Sequence, residues 1–99
     1  MIEERTLERL LRNESDVAYK RRVRTMLEFL QPAPGDRILD CGCGMGFYLK
    51  CLTELARPAC TGLDYDAQAL AFARRALAGR GAPVVRGDAL RLPYADASF

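Results

Sequence analysis

A short apolar run, an aspartate and three alternate glycines within residues 37–49 constrain this chain more than any other feature. The aspartate is Asp40, and the glycines are Gly42, Gly44 and Gly46. Glycine has no Cβ, so the backbone can take positive φ and a ligand can lie directly against it. A helix that follows such a turn directs its free N–H groups to the same place. The segment therefore predicts a binding turn for a nucleotide-like cofactor.

The pattern along the chain predicts one α/β domain with helices in front of it. Leucines at helical spacing predict two helices interrupted near residues 13–15, so we expect residues 1–35 to form an N-terminal helical cap. From residue 36 onward, the order strand, helix, strand, helix, strand predicts a Rossmann-like domain with parallel strands over residues 36–99. The complete architecture would be a three-layer αβα fold. Because the pattern stops at Phe99, we expect this domain to be truncated after its third strand.

Three aspartates fall where the three predicted strands end, namely Asp40, Asp64 and Asp88. The carboxyl ends of parallel strands lie along one edge of a sheet, and ligands of open α/β sheets bind there. An ionised carboxylate accepts two hydrogen bonds, so Asp64 can bind the two neighbouring hydroxyls of a ribose. We expect its replacement to weaken ligand binding by roughly ten- to a hundredfold and to leave the stability of the free protein almost unchanged.

Composition and charge argue against nucleic acid and membrane partners. With 15 basic and 13 acidic residues, the formal net charge is only +2. A basic cluster at residues 20–24 is typical of a solvated helix face. No apolar run approaches the roughly 20 residues of a membrane span, and residues 1–13 alternate charge with leucine, unlike a signal peptide. We therefore expect a cytoplasmic protein.

The cysteines predict neither a metal site nor disulfides. The chain has four cysteines and no histidine, and no two cysteines form a Cys-x-x-Cys pair. This pattern argues against zinc. We expect reduced, buried thiols that act as small apolar residues, at Cys41, Cys43, Cys51 and Cys60.

The same motifs resemble a known family, the class I S-adenosylmethionine-dependent methyltransferases. Within it they are similar to the methyltransferase type 11 enzymes of ubiquinone and menaquinone biosynthesis. Asp40-x-Gly42-x-Gly44-x-Gly46 resembles motif I, residues 62–66 (GLDYD) resemble the next acidic motif, and residues 87–99 resemble the loop after the third strand. The resemblance implies the cofactor-binding half of an enzyme that transfers a methyl group from S-adenosylmethionine to a small-molecule acceptor.

The resemblance also implies roles for the residues of the glycine turn and the second strand end. Gly42, Gly44 and Gly46 would let the backbone lie against the methionine part of S-adenosylmethionine. Asp40 would hold the ammonium group of the cofactor, directly or through water. Asp64 would bind the ribose hydroxyls.

For the adenine ring, the resemblance implies contacts from the second and third strand ends. Asp88 would accept a hydrogen bond from the exocyclic amine, and the backbone N–H of Ala89 would reach a ring nitrogen. Tyr65 or Leu90 would flank the ring.

No catalytic residue can be assigned from the sequence. Methyl transfer from a sulfonium uses an electrophile that is already activated, so the protein mainly supplies alignment and, for poor nucleophiles, a base. Histidine is absent from the chain. Tyr19 and Tyr48 are candidate bases by position only, and packing is the more common role for such residues.

A dinucleotide-binding oxidoreductase half is one alternative. Its fingerprint is G-x-G-x-x-G, whereas the third glycine of this chain comes one position early. Asp40 would also repel a pyrophosphate, whereas it would attract the cationic amine of S-adenosylmethionine. Both observations favour the methyltransferase interpretation.

A second alternative is a non-catalytic interaction module, in which residues 1–31 dock a partner and the cofactor site is vestigial. The first strand is central in the sheet of the resembled family, so here its outer edge would lack a neighbour. An unpaired edge invites pairing with another chain. We therefore expect self-association or a partner chain at that edge.

Overall fold

The structure is a computed structural model that describes residues 3–99. The helices are α1 (Glu4–Leu11), α2 (Val17–Leu30), α3 (Phe47–Leu55) and α4 (Ala67–Ala76). The strands are β1 (Arg37–Cys41), β2 (Ala59–Asp64) and β3 (Val84–Arg86). Helices therefore precede a β1-α3-β2-α4-β3 unit, which confirms the predicted Rossmann-like α/β fold. No helix within residues 3–99 is long and apolar enough to cross a membrane.

The three strands form one parallel sheet in the order β1-β2-β3. Asp40 pairs with Gly62 across the first two strands, and Asp64 pairs with Arg86 across the next two. Asp40 is the penultimate residue of β1, Asp64 is the last residue of β2, and Asp88 follows shortly after β3. All three aspartates therefore lie at the carboxyl edge of the sheet, as predicted.

The outer edge of β1 faces away from β2. Among residues 3–99, only β2 pairs with β1. Self-association or a partner chain at this edge stays a prediction.

Local caps explain why the two N-terminal helices are separate. Glu3 caps α1, because its carboxylate accepts a hydrogen bond from the N–H of Thr6 at 2.8 Å. Asp16 caps α2 by accepting from the N–H of Tyr19 at 3.1 Å. Gln31 then ends α2 in a left-handed conformation with a φ of 46°. The break predicted near residues 13–15 is confirmed.

One apolar core joins the N-terminal helices to the sheet domain. Leu7 and Leu27 are fully buried in the same cluster as Leu49 and Leu70 of the later helices. The division at residue 35 stays a prediction, and residues on both sides of it pack into this core.

Gly62 lets the glycine turn and α3 approach the middle of the sheet. A Cβ on this residue would lie 2.6 Å from Leu49 Cδ1 and 2.9 Å from Cys43 Sγ. These distances are shorter than real Cβ contacts, so a larger residue on this part of β2 would push α3 and the turn away. The absence of a side chain at Gly62 therefore helps to position the site.

The cysteines are free, and three of them match the expectation of buried thiols. Burial raises the pKa of Cys43, Cys51 and Cys60 to about 11 each. The expectation is wrong for Cys41, which is exposed. Cys41 ends β1, and β2 is the only described strand that flanks it.

Candidate functional site

The glycine turn presents open backbone at its first two glycines. Gly42 and Gly44 have φ angles of 82° and 55°, and a Cβ added to either would meet no atom of residues 3–99 within 4 Å. The N–H groups of Gly42 and Cys43 both donate to the carbonyl oxygen of Leu63, at 2.7 and 3.0 Å. The turn is thus fixed to the end of β2, while the space beside the two glycines stays free for a ligand.

Gly46 has a different structural reason to be glycine. Its φ is 88°, and a Cβ there would lie 3.1 Å from Leu77 Cδ1 and 3.3 Å from Ala73 Cβ. This glycine is the N-cap of α3 and allows the close approach of α3 to α4. The sequence groups the three glycines together, whereas the structure gives Gly46 a packing role and leaves its predicted contact with the cofactor untested.

Asp40 contributes a buried carboxylate oxygen to the site. Its Oδ2 atom is buried without a hydrogen-bond partner among residues 3–99. Burial, and then the nearby negative charge of Asp64, raises the pKa of Asp40 above its usual range. An unsatisfied buried acceptor is costly, so this oxygen is suited to a cationic donor from outside the chain.

Asp64 holds the glycine turn against the second strand. Its Oδ2 accepts from the N–H of Gly44 at 2.8 Å, and its Oδ1 accepts from the N–H of Asp66 at 2.9 Å. The N–H of Asp66 and then that of Gly44 lower the pKa of Asp64, so the carboxylate is ionised at neutral pH. Each oxygen keeps a further lone pair for a ligand hydroxyl. The bond to Gly44 joins residues distant in sequence, and no sequence signal predicted it.

The structure does not bring the carboxylate of Asp88 into the buried part of the site. Its Oδ1 accepts from the N–H of Leu90 at 2.9 Å, and its carbonyl oxygen accepts from the N–H of Arg91 at 2.9 Å. Asp88, Ala89 and Leu90 are all exposed. These three residues form a turn on the surface at the carboxyl edge, where their predicted contacts with adenine are untested.

Tyr65 and Arg86 form a contact that the sequence analysis missed. The Nε–H of Arg86 donates to the carbonyl oxygen of Tyr65 at 2.9 Å. The guanidinium carbon of Arg86 lies 5.1 Å from the centroid of the Tyr65 ring. The pairing of Asp64 with Arg86 brings the two residues together, so this contact depends on strand register.

Tyr19 and Tyr48 pack beside the start of α3. The Tyr19 ring lies 5.6 Å from the Phe47 ring and 6.0 Å from the Tyr48 ring, nearly parallel to the latter. Burial raises the pKa of Tyr19 further above neutral pH, so little of its phenolate form is available to act as a base. The contacts favour a packing role for Tyr19.

Comparison with known proteins gives a consistent result. Residues 39–99 match a family described as a methyltransferase domain. The chain is 41% identical over 66 residues to a fatty-acid O-methyltransferase from Mycolicibacterium smegmatis, and the match covers 66% of this chain and 24% of that protein. It is 33% identical over 84 residues to a demethylmenaquinone methyltransferase from Corynebacterium urealyticum, covering 85% of this chain and 33% of that protein.

A solved structure gives the same fold. The X-ray structure of YjhP from E. coli aligns with a TM-score of 0.62 and 24% sequence identity, over 86% of this chain and 37% of that one. The chain thus spans 24% to 37% of the length of these three proteins. The family match includes the glycine turn and the ends of all three strands. The resemblance seen in the motifs is confirmed, and the chain belongs to the methyltransferase domain family.

Proposed function

We propose that this chain binds S-adenosylmethionine at the glycine turn and forms the cofactor-binding part of an enzyme that methylates a small molecule. The proposal rests on two observations: the Oδ2 of Asp40 is buried without a hydrogen-bond partner among residues 3–99, and the backbone of Gly42 and Gly44, shortly after it in the chain, is open. Family membership supports the same ligand. The methionine end of the cofactor carries an ammonium group, which is both a hydrogen-bond donor and a cation.

The charges at the carboxyl edge fit a cationic ligand. Burial and the charge of Asp64 both oppose ionisation of Asp40. A bound ammonium group would offset both effects, because an opposite charge within hydrogen-bond reach stabilises the carboxylate. The pyrophosphate of a dinucleotide would instead add negative charge beside two carboxylates. This contrast favours S-adenosylmethionine over a nicotinamide dinucleotide.

The remaining parts of the cofactor match residues along the same edge. Asp64 is ionised and keeps lone pairs for the ribose hydroxyls. Tyr65 is 68% exposed and is therefore accessible to the adenine ring, as are Asp88 and Ala89. When bound, S-adenosylmethionine supplies a methyl group that is already activated by the positive charge on sulfur. The residues of this chain then bind and orient it, and none is assigned as a base.

A small acceptor is favoured over a nucleic acid by the charge distribution. The formal net charge is +2, and several arginines already have acidic partners. Arg24 binds Glu4 at 2.8 Å, and Arg9 binds Glu54 at 3.1 Å. The two relatives named above carry fatty-acid and demethylmenaquinone substrates in their names, which supports an apolar acceptor, whereas a third relative, 38% identical, is named a probable tRNA methyltransferase. Transfer of labelled methyl groups to tRNA, and not to fatty acids or quinols, would contradict this part of the proposal.

Titration calorimetry with S-adenosylhomocysteine tests the cofactor assignment. Asp40→Asn keeps the shape of the side chain but removes its charge, so we expect binding to weaken by roughly ten- to a hundredfold. Asp36→Asn is the matched control, because Asp36 lies just before the opposite end of β1 and its carboxylate accepts from the N–H of Ala33 at 2.8 Å. This control should bind like the wild type. Absence of binding by the wild-type protein, or equal affinity in Asp40→Asn, would refute the proposal.

A further inference from the structure

We propose that Arg86 is a positioning residue that holds Tyr65 as one wall of the adenine site. This inference rests on the proposed function, because it takes the ligand to be an adenosyl cofactor. It adds a residue for which neither the motifs nor the family match gives a role. Arg86 acts through Tyr65 and is not required to touch the cofactor itself.

Arg86 contacts Tyr65 at both its backbone and its ring. Its Nε–H donates to the Tyr65 carbonyl oxygen at 2.9 Å, and its guanidinium carbon lies over the ring at 5.1 Å from the centroid. The guanidinium group is planar and always charged, so it can stack on an aromatic face and donate a hydrogen bond at the same time. The two contacts together fix the peptide that follows Asp64 and the direction of the side chain.

Tyr65 needs such support because little else restrains its ring. The residue is 68% exposed, and it belongs neither to the core nor to the residues packed against it. An exposed side chain changes rotamer on a picosecond to nanosecond timescale. With Arg86 on one face of the ring, a flat ligand would stack on the other face. The ligand then meets a ring that is already oriented, which lowers the entropy cost of binding.

The charge of Arg86 is not neutralised by its neighbour on β2. Asp64 is the register partner of Arg86, yet no salt bridge joins them among residues 3–99. The carboxylate of Asp64 instead accepts from Gly44 and Asp66. The free lone pairs of Asp64 are therefore available to the ribose hydroxyls. The guanidinium group of Arg86 is available to contact Tyr65.

A second arginine provides a matched control. The guanidinium carbon of Arg75 lies 5.5 Å from the centroid of the Phe72 ring, which resembles the contact of Arg86 with Tyr65. Arg75 and Phe72 both belong to α4, and no motif places either near the cofactor. A comparison of Arg75→Ala with Arg86→Ala therefore shows whether a change in affinity is specific to the contact between Arg86 and Tyr65 or follows from the loss of any arginine–aromatic contact.

A double-mutant cycle measures whether Arg86 acts through Tyr65. In calorimetry with S-adenosylhomocysteine, Arg86→Ala should weaken binding about two- to fivefold, the range expected for an exposed cation–π contact. In a Tyr65→Ala background, Arg86→Ala should cause a clearly smaller loss, because the ring contact is already gone and only the hydrogen bond to the carbonyl oxygen of residue 65 is left to remove. Tyr65→Phe should keep the effect of Arg86, because the contact uses the ring and the carbonyl oxygen. Arg75→Ala should bind like the wild type.

An equal loss from Arg86→Ala in the presence and absence of Tyr65 would overturn the inference, as would unchanged affinity in Arg86→Ala. Both results leave the proposed function intact, because they require that the wild-type protein binds. NMR of the free protein gives a readout that does not depend on the cofactor. The side-chain protons of Arg86 should be shifted upfield by the Tyr65 ring and should return to ordinary values in Tyr65→Ala. Protons of Arg86 at ordinary values in the wild type would also refute the contact.

Discussion

The two hydrogen bonds of Asp64 predict a loss of stability when its carboxylate becomes an amide. Asp64 accepts from Gly44 at 2.8 Å and from Asp66 at 2.9 Å, so it joins the glycine turn, the end of β2 and the start of α4. An asparagine at this position has one acceptor oxygen and satisfies one of the two N–H groups. Hydrogen bonds to charged groups contribute about 1.5–3 kcal/mol, and solvent screening at this half-buried position reduces that to roughly 1 kcal/mol for each bond.

We therefore expect Asp64→Asn to lower the free energy of unfolding by about 1–2 kcal/mol at pH 7. This corrects the expectation from the sequence that replacing Asp64 leaves the stability of the free protein almost unchanged, because that expectation did not include the bonds to Gly44 and Asp66. For a domain of this size, each kcal/mol lowers Tm by roughly 4–8 °C. Urea unfolding followed by circular dichroism measures the difference. Asp88→Asn is the control, because within the described part of the chain the side chain of Asp88 accepts only inside its own surface turn, from the N–H of Leu90 at 2.9 Å. Its effect should be below about 0.5 kcal/mol, as for most surface substitutions.

The pH dependence of this difference tests its cause. The folded-state pKa of Asp64 is lowered, so its stabilising effect is fully present above the unfolded pKa and is lost as pH falls through the folded pKa. The wild type and Asp64→Asn should therefore differ at pH 7 and converge in strong acid. Equal stabilities at pH 7 would refute the role of the two bonds. A difference that persists unchanged in strong acid would show that the charge of Asp64 is not its cause.

Two further predictions concern the glycines and Asp40. Gly46→Ala should destabilise the protein by about 1–3 kcal/mol in urea unfolding, because its Cβ would press on α4 at a positive φ. Gly44→Ala adds only backbone strain and should destabilise the protein by about 1 kcal/mol. It should also weaken binding of S-adenosylhomocysteine in calorimetry. Equal unfolding profiles for Gly46→Ala and Gly44→Ala would contradict the packing role of Gly46. Affinity for S-adenosylhomocysteine should fall as pH decreases through the raised pKa of Asp40, with protons released on binding in that range. Calorimetry in buffers of different ionisation enthalpy measures this release, and an affinity independent of pH would count against contact with the ammonium group.

Local signals in the sequence were sufficient for the elements and for the edge at which the site lies. Asp16 and Asp66 cap their helices, because an aspartate before a helix accepts from nearby N–H groups wherever the helix packs. The glycines of the turn likewise take the positive φ angles that their spacing suggested. Helix caps and the conformation of the turn depend on residues that are close in the sequence, so the sequence alone is enough to predict them.

Contacts between distant residues were not predictable in the same way. The contact of Arg86 with Tyr65 depends on the register of β3 against β2, which no local pattern encodes. The packing of Gly46 against α4 depends on where that helix lies. The exposure of Cys41 depends on which strands flank β1. In each case the deciding neighbour is far away in the sequence.

The two aspartates at the ends of β1 and β2 have different environments, so their carboxyl groups are suited to different parts of a ligand. Burial raises the pKa of Asp40, whereas hydrogen bonds from the N–H groups of Asp66 and Gly44 lower that of Asp64. Asp64 is therefore charged whether or not a ligand is present, and it can accept from neutral hydroxyls. The ionised form of Asp40 is destabilised by burial and by repulsion from Asp64, so a bound cation stabilises Asp40 more than Asp64. Opposite shifts in neighbouring carboxyl groups thus favour a ligand with a cationic end at β1 and a hydroxyl-bearing part at β2.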